Sequence, residues 1–331
     1  MRLSPIKYAY DSEQDSVLKP YYQKWVWGPL LEFIPESWSP NSLTFLSTSC
    51  CALSFLLASQ ANPSFVGMLA AGFLVFAYVS LDNMDGAHAR RTGKSSRLGE
   101  FLDHWLDTLN NGFVVLGACF AVGLEPFLTL LVFSATNLAF YGVQLELRYT
   151  GVFRMGRVAD IEGNTAVSGL YILIALFGRE VFLAEPISGG PSLALIIGLG
   201  VMGQALWTLF TAAKRLDGKK NDFIPISAFC AVLIIWFLTG AITSSAALAI
   251  AFFVNPVFTS RPILARVLDQ STTLMDGIAV LSVVLGFLIS IFMIDSIAMG
   301  WLVALIMIAI TSRYAFQTVL TLLSESNHEA P

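Results

Sequence analysis

Four aspartates lie close together in a part of the chain where charged residues are otherwise rare. They are Asp82, Asp85, Asp103 and Asp107, and they fall within 26 residues. At about 100° per residue, the first two share one helix face with Gly86 and Ala89. Gly99, Asp103 and Asp107 follow one another at intervals of four residues, so they lie along one stripe of the next predicted helix. The loop between these two predicted helices is short, so we expect antiparallel neighbours whose four carboxylates converge.

The cluster predicts a site for hard divalent cations. A charge near the centre of a bilayer costs on the order of 2.5–3.5 kcal/mol, so four unpaired acids would cost roughly 10–14 kcal/mol. Oxygen ligands without cysteine or a pair of histidines select Mg²⁺ or Mn²⁺ rather than Zn²⁺. Two ions would balance four carboxylates, and two-metal sites suit in-line displacement at phosphorus. Gly86 and Ala89 would leave room for a bulky substrate on the same face.

The composition places these residues in an integral membrane protein. Of the 331 residues, 56% are hydrophobic and 13% are charged, against about 45–50% and 25% in ordinary globular domains. The mean hydropathy is +0.70, and so few charges cannot cover the surface of a soluble particle. The net charge of −4 argues against a nucleic-acid partner, and the four cysteines lie in apolar runs without metal-ligand spacing. The predicted fold class is therefore all-α and polytopic.

Ten apolar runs approach the roughly 20 residues that a helix needs to cross a bilayer. The predicted spans are 43–60, 64–84, 99–123, 126–147, 165–184, 191–213, 223–240, 242–258, 272–293 and 297–322. With the N-terminus inside, every lysine and arginine except Arg179 and Arg313 falls on a cytoplasmic segment, as expected for membrane proteins. This alternation supports ten helices with both ends cytoplasmic. The weakest span is 242–258, because Asn255 and Pro256 interrupt it.

Residues 1–42 are predicted to form a cytoplasmic and interfacial segment, followed by a transmembrane domain over 43–323 and a tail over 324–331. The mixture of charges and aromatics before residue 43 argues against a cleavable signal peptide. Apolar side chains recur on roughly one side of a helix at Val17, Leu18, Tyr21, Tyr22, Trp25 and Leu31. This pattern predicts an amphipathic helix lying in the membrane interface, with a soluble cap helix as the alternative.

The spacing of the cluster resembles the signature of the CDP-alcohol phosphotransferases. The motif reads Asp82-x2-Asp85-Gly86-x2-Ala89-Arg90-x8-Gly99-x3-Asp103-x3-Asp107. Its flanks resemble the choline/ethanolamine phosphotransferase branch, as does the stretch from Tyr8 to Trp38; they read Leu98-Gly99-Glu100-x2-Asp103-His104 and Pro40-Asn41-x-Leu43-Thr44. The resemblance fades after about residue 165, so the catalytic core is expected at about 40–165. Eukaryotic members often carry Lys directly after the Asp-Gly pair, whereas Ala87 and His88 follow here, which leaves the headgroup open.

The resemblance implies transfer of a phosphoalcohol from a CDP-alcohol to a lipid hydroxyl, with release of CMP. It implies that Asp82, Asp85 and Asp103 bind metal and that Asp107 binds metal or acts as the base. The nucleotide would lie against the remaining motif residues, which are Gly86, Ala89, Arg90 and Gly99, with Asn41 facing its phosphates. The expected partners are CDP-choline or CDP-ethanolamine, diacylglycerol and membrane lipids, with a homodimer as a candidate assembly.

Two further residues are candidates for the acceptor side of the site. His104 could deprotonate or orient the hydroxyl, or could hydrogen-bond a neighbouring helix. Glu162 could orient that histidine, although Glu146 and Asp160 compete for this role and acids in loops are usually solvated. An N-cap at the first predicted span would explain Asn41 without any ligand. The basic loop between the motif helices reflects topology and could also attract the anionic donor.

The favoured function is phospholipid synthesis from CDP-choline or CDP-ethanolamine and diacylglycerol. An alternative in the same family uses CDP-diacylglycerol as donor and an inositol or glycerol-type acceptor. An ion-coupled transporter would need acids and broken helices in both halves, and the later spans contain no comparable cluster. A membrane hydrolase with the same metals is weakly disfavoured. The site is expected to face the cytosol, at the ER or Golgi in a eukaryote or at the inner membrane in a bacterium.

Overall fold

The structure, a computed structural model, describes residues 11–14, 16–156, 160–269, 273–292 and 296–328. Helices dominate these residues, which confirms the all-α class. In chain order they are α1 Lys19–Tyr22, α2 Gly28–Phe33, α3 Pro40–Ala58, α4 Phe65–Thr92, α5 Arg97–Val122, α6 Pro126–Thr150, α7 Asp160–Phe177, α8 Glu180–Leu183, α9 Leu193–Arg215, α10 Ile224–Leu238, α11 Ser244–Phe252, α12 Val254–Phe258, α13 Ser260–Val267, α14 Gly277–Phe292 and α15 Ser296–His328. A π-helical turn, Gln23–Trp27, joins α1 to α2.

Local sequence signals set the ends of the long helices. Ser64, Ser96 and Ser192 cap α4, α5 and α9, because each hydroxyl accepts a hydrogen bond from the backbone N–H three residues later. Helices α4 and α5 end at Gly93 and Gly123, whose φ angles are +67° and +72°. Glycine adopts this left-handed conformation without the penalty that a Cβ atom would bring. The chain therefore turns sharply between α4 and α5.

Within the described ranges, eight helical segments are long and apolar enough to cross a membrane. They are Pro40–Ala58, Phe65–Thr92, Arg97–Val122, Pro126–Thr150, Leu193–Arg215, Lys220–Leu238, Ser244–Val267 and Ile297–Ser324. The remaining two predicted spans fall on α7, which carries two acids in its first turn, and on α14, which has 16 residues. The chain is a multi-pass membrane protein, and the count of ten crossings stays a prediction.

Two predicted spans are interrupted or divided in the structure. The span predicted at 165–184 is a helix over Asp160–Phe177, which ends because Gly178 has a φ of +82°. The span predicted at 242–258 continues to Val267 as the three short helices α11, α12 and α13. Asn255 and Pro256 lie in the middle of this broken rod and are fully buried. It is therefore an interior element of the bundle, where neighbouring helices shield the interrupted backbone from lipid.

The second half of the chain packs on α6 and α5. A large cluster centred on Phe229, Trp236 and Phe258 joins α10 and α12 to α6. At Gly112 of α5, an added Cβ would lie 2.5 Å from the Phe252 ring, so the close approach of α5 and α11 needs glycine there. The four cysteines are unpaired, and three of them are buried, as expected for small core residues.

The segment before α3 is helical, but its apolar residues lie on two different sides of it. Leu18, Tyr22 and Leu31 pack around Trp27 against α4 and α7. Tyr21 and Trp25, by contrast, are 63% and 70% exposed. The single apolar side predicted for this segment is therefore wrong, because the π-helical turn and the packing of Trp27 rotate some of these residues inward. Exposed aromatic side chains on the outer side are typical of a segment in the membrane interface.

A small parallel sheet connects the N-terminal segment to the end of α6, a contact that the sequence did not predict. Strand β1, Asp11–Gln14, pairs with β2, Val152–Met155, so that Asp11 lies opposite Val152. The pairing ties the start of the described chain to the end of α6. It brings two segments about 140 positions apart to the same edge of the helical bundle.

Candidate active site

The motif helices α4 and α5 enclose a cavity of about 620 Å³. Both helices pack on α3, and within the described residues they do not pack closely on each other. The expectation that they pack directly on each other is therefore corrected. The turn at 93–96 makes the two helices converge, but their backbones stay apart and leave space for the cavity. Ten of the eleven predicted site residues line this space, namely Asn41, Asp82, Asp85, Gly86, Ala89, Arg90, Gly99, Asp103, His104 and Asp107.

Three of the four motif aspartates form a compact cluster. Asp82, Asp103 and Asp107 each offer one carboxylate oxygen, and these three oxygens lie within 4.8 Å of one another. Oδ1 of Asp82 is buried and accepts no hydrogen bond in the part of the chain that the structure describes. Because an unpartnered buried carboxylate is costly, this donor set fits a divalent cation. Oxygen-only ligands favour Mg²⁺ or Mn²⁺.

The fourth motif aspartate has a different local partner. The hydroxyl of Thr44 donates a hydrogen bond of 2.5 Å to Oδ2 of Asp85, from one turn inside α3. Asp85 is only 5% exposed. It lines the same cavity as the cluster of three, but its orientation is set by α3. Thr44 ends the Pro40-Asn41-x-Leu43-Thr44 stretch upstream of the motif. This hydrogen bond therefore links that stretch directly to the motif.

The predicted nucleotide-binding face is open and built from small residues. A Cβ added at Gly99 would lie 3.4 Å from Oδ1 of Asn41, and one added at Gly86 would lie 3.4 Å from an Arg90 guanidinium nitrogen. Asn41 is not the N-cap of α3, because Ser39 precedes the helix and Pro40 is its first residue. The N-cap explanation of Asn41 is therefore wrong, and its side chain lines the cavity instead.

His104 lies in a buried pocket beside the aspartate cluster. It is 3% exposed, and its ring lies 5.6 Å from the ring of Phe153 on β2. Glu100, one helical turn earlier, also lines the cavity and accepts a hydrogen bond of 2.7 Å from Nε of Arg266. Phe153 and Arg266 are thus neighbours of the site that the spacing of the motif did not indicate.

Glu162 was predicted to lie at the site, but it lies outside the cavity lining. It lies in the first turn of α7 rather than in a loop, and it is not among the residues that line the cavity. Its Oε1 accepts hydrogen bonds from the hydroxyl of Ser16 at 2.6 Å and from the backbone N–H of Leu18 at 3.1 Å. These contacts correct the predicted role of Glu162 as the partner of His104, because they assign this carboxylate to the N-terminal segment.

The two acids that competed with Glu162 have separate environments. Asp160 lines the cavity as a fifth aspartate and accepts a hydrogen bond of 2.6 Å from the amide of Asn164. Glu146 is fully buried and accepts two hydrogen bonds from Arg215 and one from Arg154. Glu146 is therefore a structural ion-pair centre, whereas Asp160 contributes charge to the site.

The basic loop holds the N-terminal segment against α4. Arg91 donates hydrogen bonds to the backbone carbonyls of Leu31 and Ile34, at 2.5 and 2.7 Å. Lys94 donates to the carbonyl of Glu36 at 2.6 Å. Arg91 and Lys94, whose charges were predicted to attract the donor, thus bind carbonyl oxygens at the end of the interfacial segment. Cations stabilise a helix C-terminus in this position.

Comparison with known proteins covers this same region. The family model for CDP-alcohol phosphatidyltransferase matches residues 37–184. Cholinephosphotransferase 1 from Gallus gallus is 33% identical over 184 residues, which cover 53% of this chain and 55% of that protein. Human cholinephosphotransferase 1 is 32% identical over 186 residues, covering 53% of this chain and 45% of that protein.

A relative with another donor in its name is about equally similar. The CDP-diacylglycerol–serine O-phosphatidyltransferase of Encephalitozoon cuniculi is 32% identical over 195 residues, covering 53% of this chain and 48% of that protein. The chain thus spans about half the length of the curated relatives it matches. The matched region contains α3 to α7 and all four motif aspartates. Over residues 37–184, the chain is therefore similar to the CDP-alcohol phosphatidyltransferase family.

Proposed function

We propose that this protein transfers phosphocholine or phosphoethanolamine from a CDP-alcohol to the hydroxyl of diacylglycerol and releases CMP. The observation that carries the proposal is the cavity between α4 and α5, in which three clustered aspartates face a wall of small residues. The similarity to cholinephosphotransferases from several vertebrates supports this donor class.

The aspartates supply the charge that this reaction needs. Asp82, Asp103 and Asp107 would hold one ion, and Asp85 would complete the ligand set for a second. Mg²⁺ or Mn²⁺ bound there would neutralise the phosphate oxygens and the leaving CMP. Asn41, Gly86, Ala89, Arg90 and Gly99 would then receive the nucleotide. The small residues Gly86, Ala89 and Gly99 allow the nucleotide to approach the helix backbone, and the Arg90 guanidinium suits a phosphate.

The acceptor hydroxyl needs a base within hydrogen-bond reach, about 2.6–3.2 Å. As the acceptor oxygen bonds to the phosphorus next to the alcohol, the bond from that phosphorus to the oxygen shared with CMP breaks. The hydroxyl proton passes to a ring nitrogen of His104, or to Asp107 if that carboxylate is free of metal. Both residues line the cavity from α5, three positions apart.

A soluble donor made in the cytosol requires a site that opens to the cytosol. The distribution of lysine and arginine supports this orientation. We therefore propose a cytosol-facing site, in the ER or Golgi membrane of a eukaryote or in the inner membrane of a bacterium. A homodimer stays a prediction.

A second donor class competes with the first. The similarity to the Encephalitozoon protein supports a CDP-diacylglycerol donor with a small alcohol acceptor. The two reactions share CMP as a product but differ in which substrate carries the lipid. Purified protein should therefore be incubated with each donor and with acceptors of both kinds, and CMP and lipid products measured separately. Phosphatidylcholine or phosphatidylethanolamine made from diacylglycerol would support the proposal, and product formed only from CDP-diacylglycerol would overturn it.

A further inference from the structure

The N-terminal segment forms one wall of the cavity. Lys19, Gln23 and Trp27 line it together with the motif residues of α4 and α5. These three residues precede the region matched by the family model, which begins at residue 37. This wall of the cavity is therefore supplied by residues whose role the family match leaves unassigned.

The position of Lys19 is fixed by a chain of hydrogen bonds to the bundle. Its backbone N–H donates to the hydroxyl of Ser16 at 3.0 Å. That hydroxyl and the backbone N–H of Leu18 both donate to Oε1 of Glu162 on α7. The start of the interfacial segment is thus fixed to a long helix, and the Lys19 side chain is held at the cavity.

Lys19 shares the cavity with a second cation. It is half-buried, and Arg90 of the motif lines the same space. Burial lowers the pKa of the Lys19 ammonium from its usual value, and the positive charge of Arg90 lowers it further, whereas the negative charge of Asp160 opposes this shift. Two cations near one cavity repel each other, and an anion bound between them would relieve that repulsion.

Trp27 provides an independent sign that this wall faces a ligand. Its side chain is 4% exposed, and its indole Nε1 donates to no acceptor among the described residues. Buried indole N–H groups usually have a hydrogen-bond partner. Since Trp27 lines the cavity, an acceptor oxygen on a bound ligand would satisfy this donor.

We infer that Lys19 binds the diphosphate of the nucleotide donor, from the N-terminal wall of the cavity and together with Arg90. This inference rests on the proposed function, since it concerns the donor of that reaction. It holds for either donor class, because CDP-alcohols and CDP-diacylglycerol share the cytidine diphosphate. It makes the N-terminal segment part of the donor site as well as a membrane-facing element.

The test is equilibrium binding to the full-length protein in lipid nanodiscs with Mg²⁺ and no acceptor lipid. CDP-choline, CDP-diacylglycerol and CMP are the probes, and Lys19→Met is the main variant. Loss of one charge-assisted contact should raise the Kd of both diphosphate donors about 10- to 100-fold. The Kd of CMP, which lacks the second phosphate, should rise much less. Lys19→Arg should retain most of the affinity because it keeps the charge.

Lys24→Met is the matched control. Lys24 lies on the same segment, but it is exposed and its ammonium sits 4.8 Å from the ring centre of Trp25, away from the cavity. It should leave all three Kd values unchanged. Equal loss in Lys19→Met and Lys24→Met would indicate a general surface-charge effect and overturn the inference.

The remaining outcomes separate the inference from the proposed function. If the wild-type protein bound CDP-choline or CDP-diacylglycerol and Lys19→Met bound them equally well, the inference alone would be wrong. A lower melting temperature with unchanged Kd would show that Lys19 only stabilises the segment, through Asp160. If the wild type bound none of the cytidine nucleotides, the proposed function and the inference would both be overturned.

Discussion

Nε of Arg266 donates a 2.7 Å hydrogen bond to Oε1 of Glu100, across 166 positions of the sequence. The side chains are 20% and 16% exposed. Arg266 belongs to α13, at the end of the broken rod, and Glu100 lies on the cavity side of α5, one turn before His104. This ion pair therefore connects the second half of the chain, outside the family match, to the helix that carries two motif aspartates.

The Glu100–Arg266 pair should stabilise the junction between the two halves. Arg266→Met would leave a mostly buried carboxylate without this partner, and we expect a loss of about 1–3 kcal/mol. The measurement is a double-mutant cycle with Glu100→Gln, read from thermal unfolding in detergent. A coupling energy near zero would show that the pair contributes nothing. Lys220→Met, which removes an exposed ion pair with Asp217, is the control and should cost less than about 1 kcal/mol.

The reaction should depend on a divalent cation. We expect EDTA to abolish CMP release and Mg²⁺ or Mn²⁺ to restore it, because the three clustered carboxylates cannot stay together unpaired. Asn replacements at Asp82, Asp103 and Asp107 should each leave little activity. Asp217→Asn, on an exposed connection, should behave like the wild type. Full turnover in EDTA would contradict the metal site.

His104 should act on the acceptor rather than on the donor. We expect His104→Ala to lower turnover by roughly 10²–10⁴-fold while CDP-alcohol binding stays nearly intact. Asp107→Asn should instead weaken metal and nucleotide binding together. Normal turnover in His104→Ala would make Asp107 the preferred base and leave the histidine as a packing residue beside Phe153.

Glu162 should anchor the N-terminal segment. Glu162→Ala removes the acceptor for Ser16 and Leu18, so we expect protease cleavage near residue 16 to accelerate on the order of tenfold. Glu162→Gln keeps an accepting oxygen and should show a smaller effect. The measurement is limited proteolysis of protein in nanodiscs. If both variants lost turnover while the cleavage rate stayed at the wild-type value, Glu162 would belong to the catalytic site after all.

Topology can be tested at two exposed serines. In a cysteine-free background, a cysteine at Ser95, between α4 and α5, should react with a membrane-impermeant reagent only from the cytoplasmic side. A cysteine at Ser188, between α8 and α9, should react only from the opposite side. The reversed pattern would rule out the ten-helix topology and a cytosol-facing site.

Hydropathy and local spacing were enough to predict the class of fold and most of the residues that the structure brings together around the cavity. Each predicted span overlaps one or more helices, because a run of apolar residues in a membrane must satisfy its backbone hydrogen bonds internally. The motif aspartates could be placed on common faces because helical periodicity depends only on distance along the chain. Boundaries were less accurate, as at Gly178 and in the rod from α11 to α13, since they depend on how the helices pack.

Tertiary structure alone decided which distant residues complete the site. Lys19, Asp160 and Arg266 lie outside the motif. In the sequence the two basic residues count only as topology signals, and Asp160 counts only as a competitor of Glu162. Lys19 and Asp160 reach the cavity, and Arg266 reaches Glu100 on its wall, because α7, the broken rod and the interfacial segment pack around α4 and α5. The same packing brings Glu162 into hydrogen-bond contact with the N-terminal segment and Thr44 into hydrogen-bond contact with Asp85. Contacts between segments far apart in sequence depend on side-chain packing across the whole bundle, which no local pattern encodes.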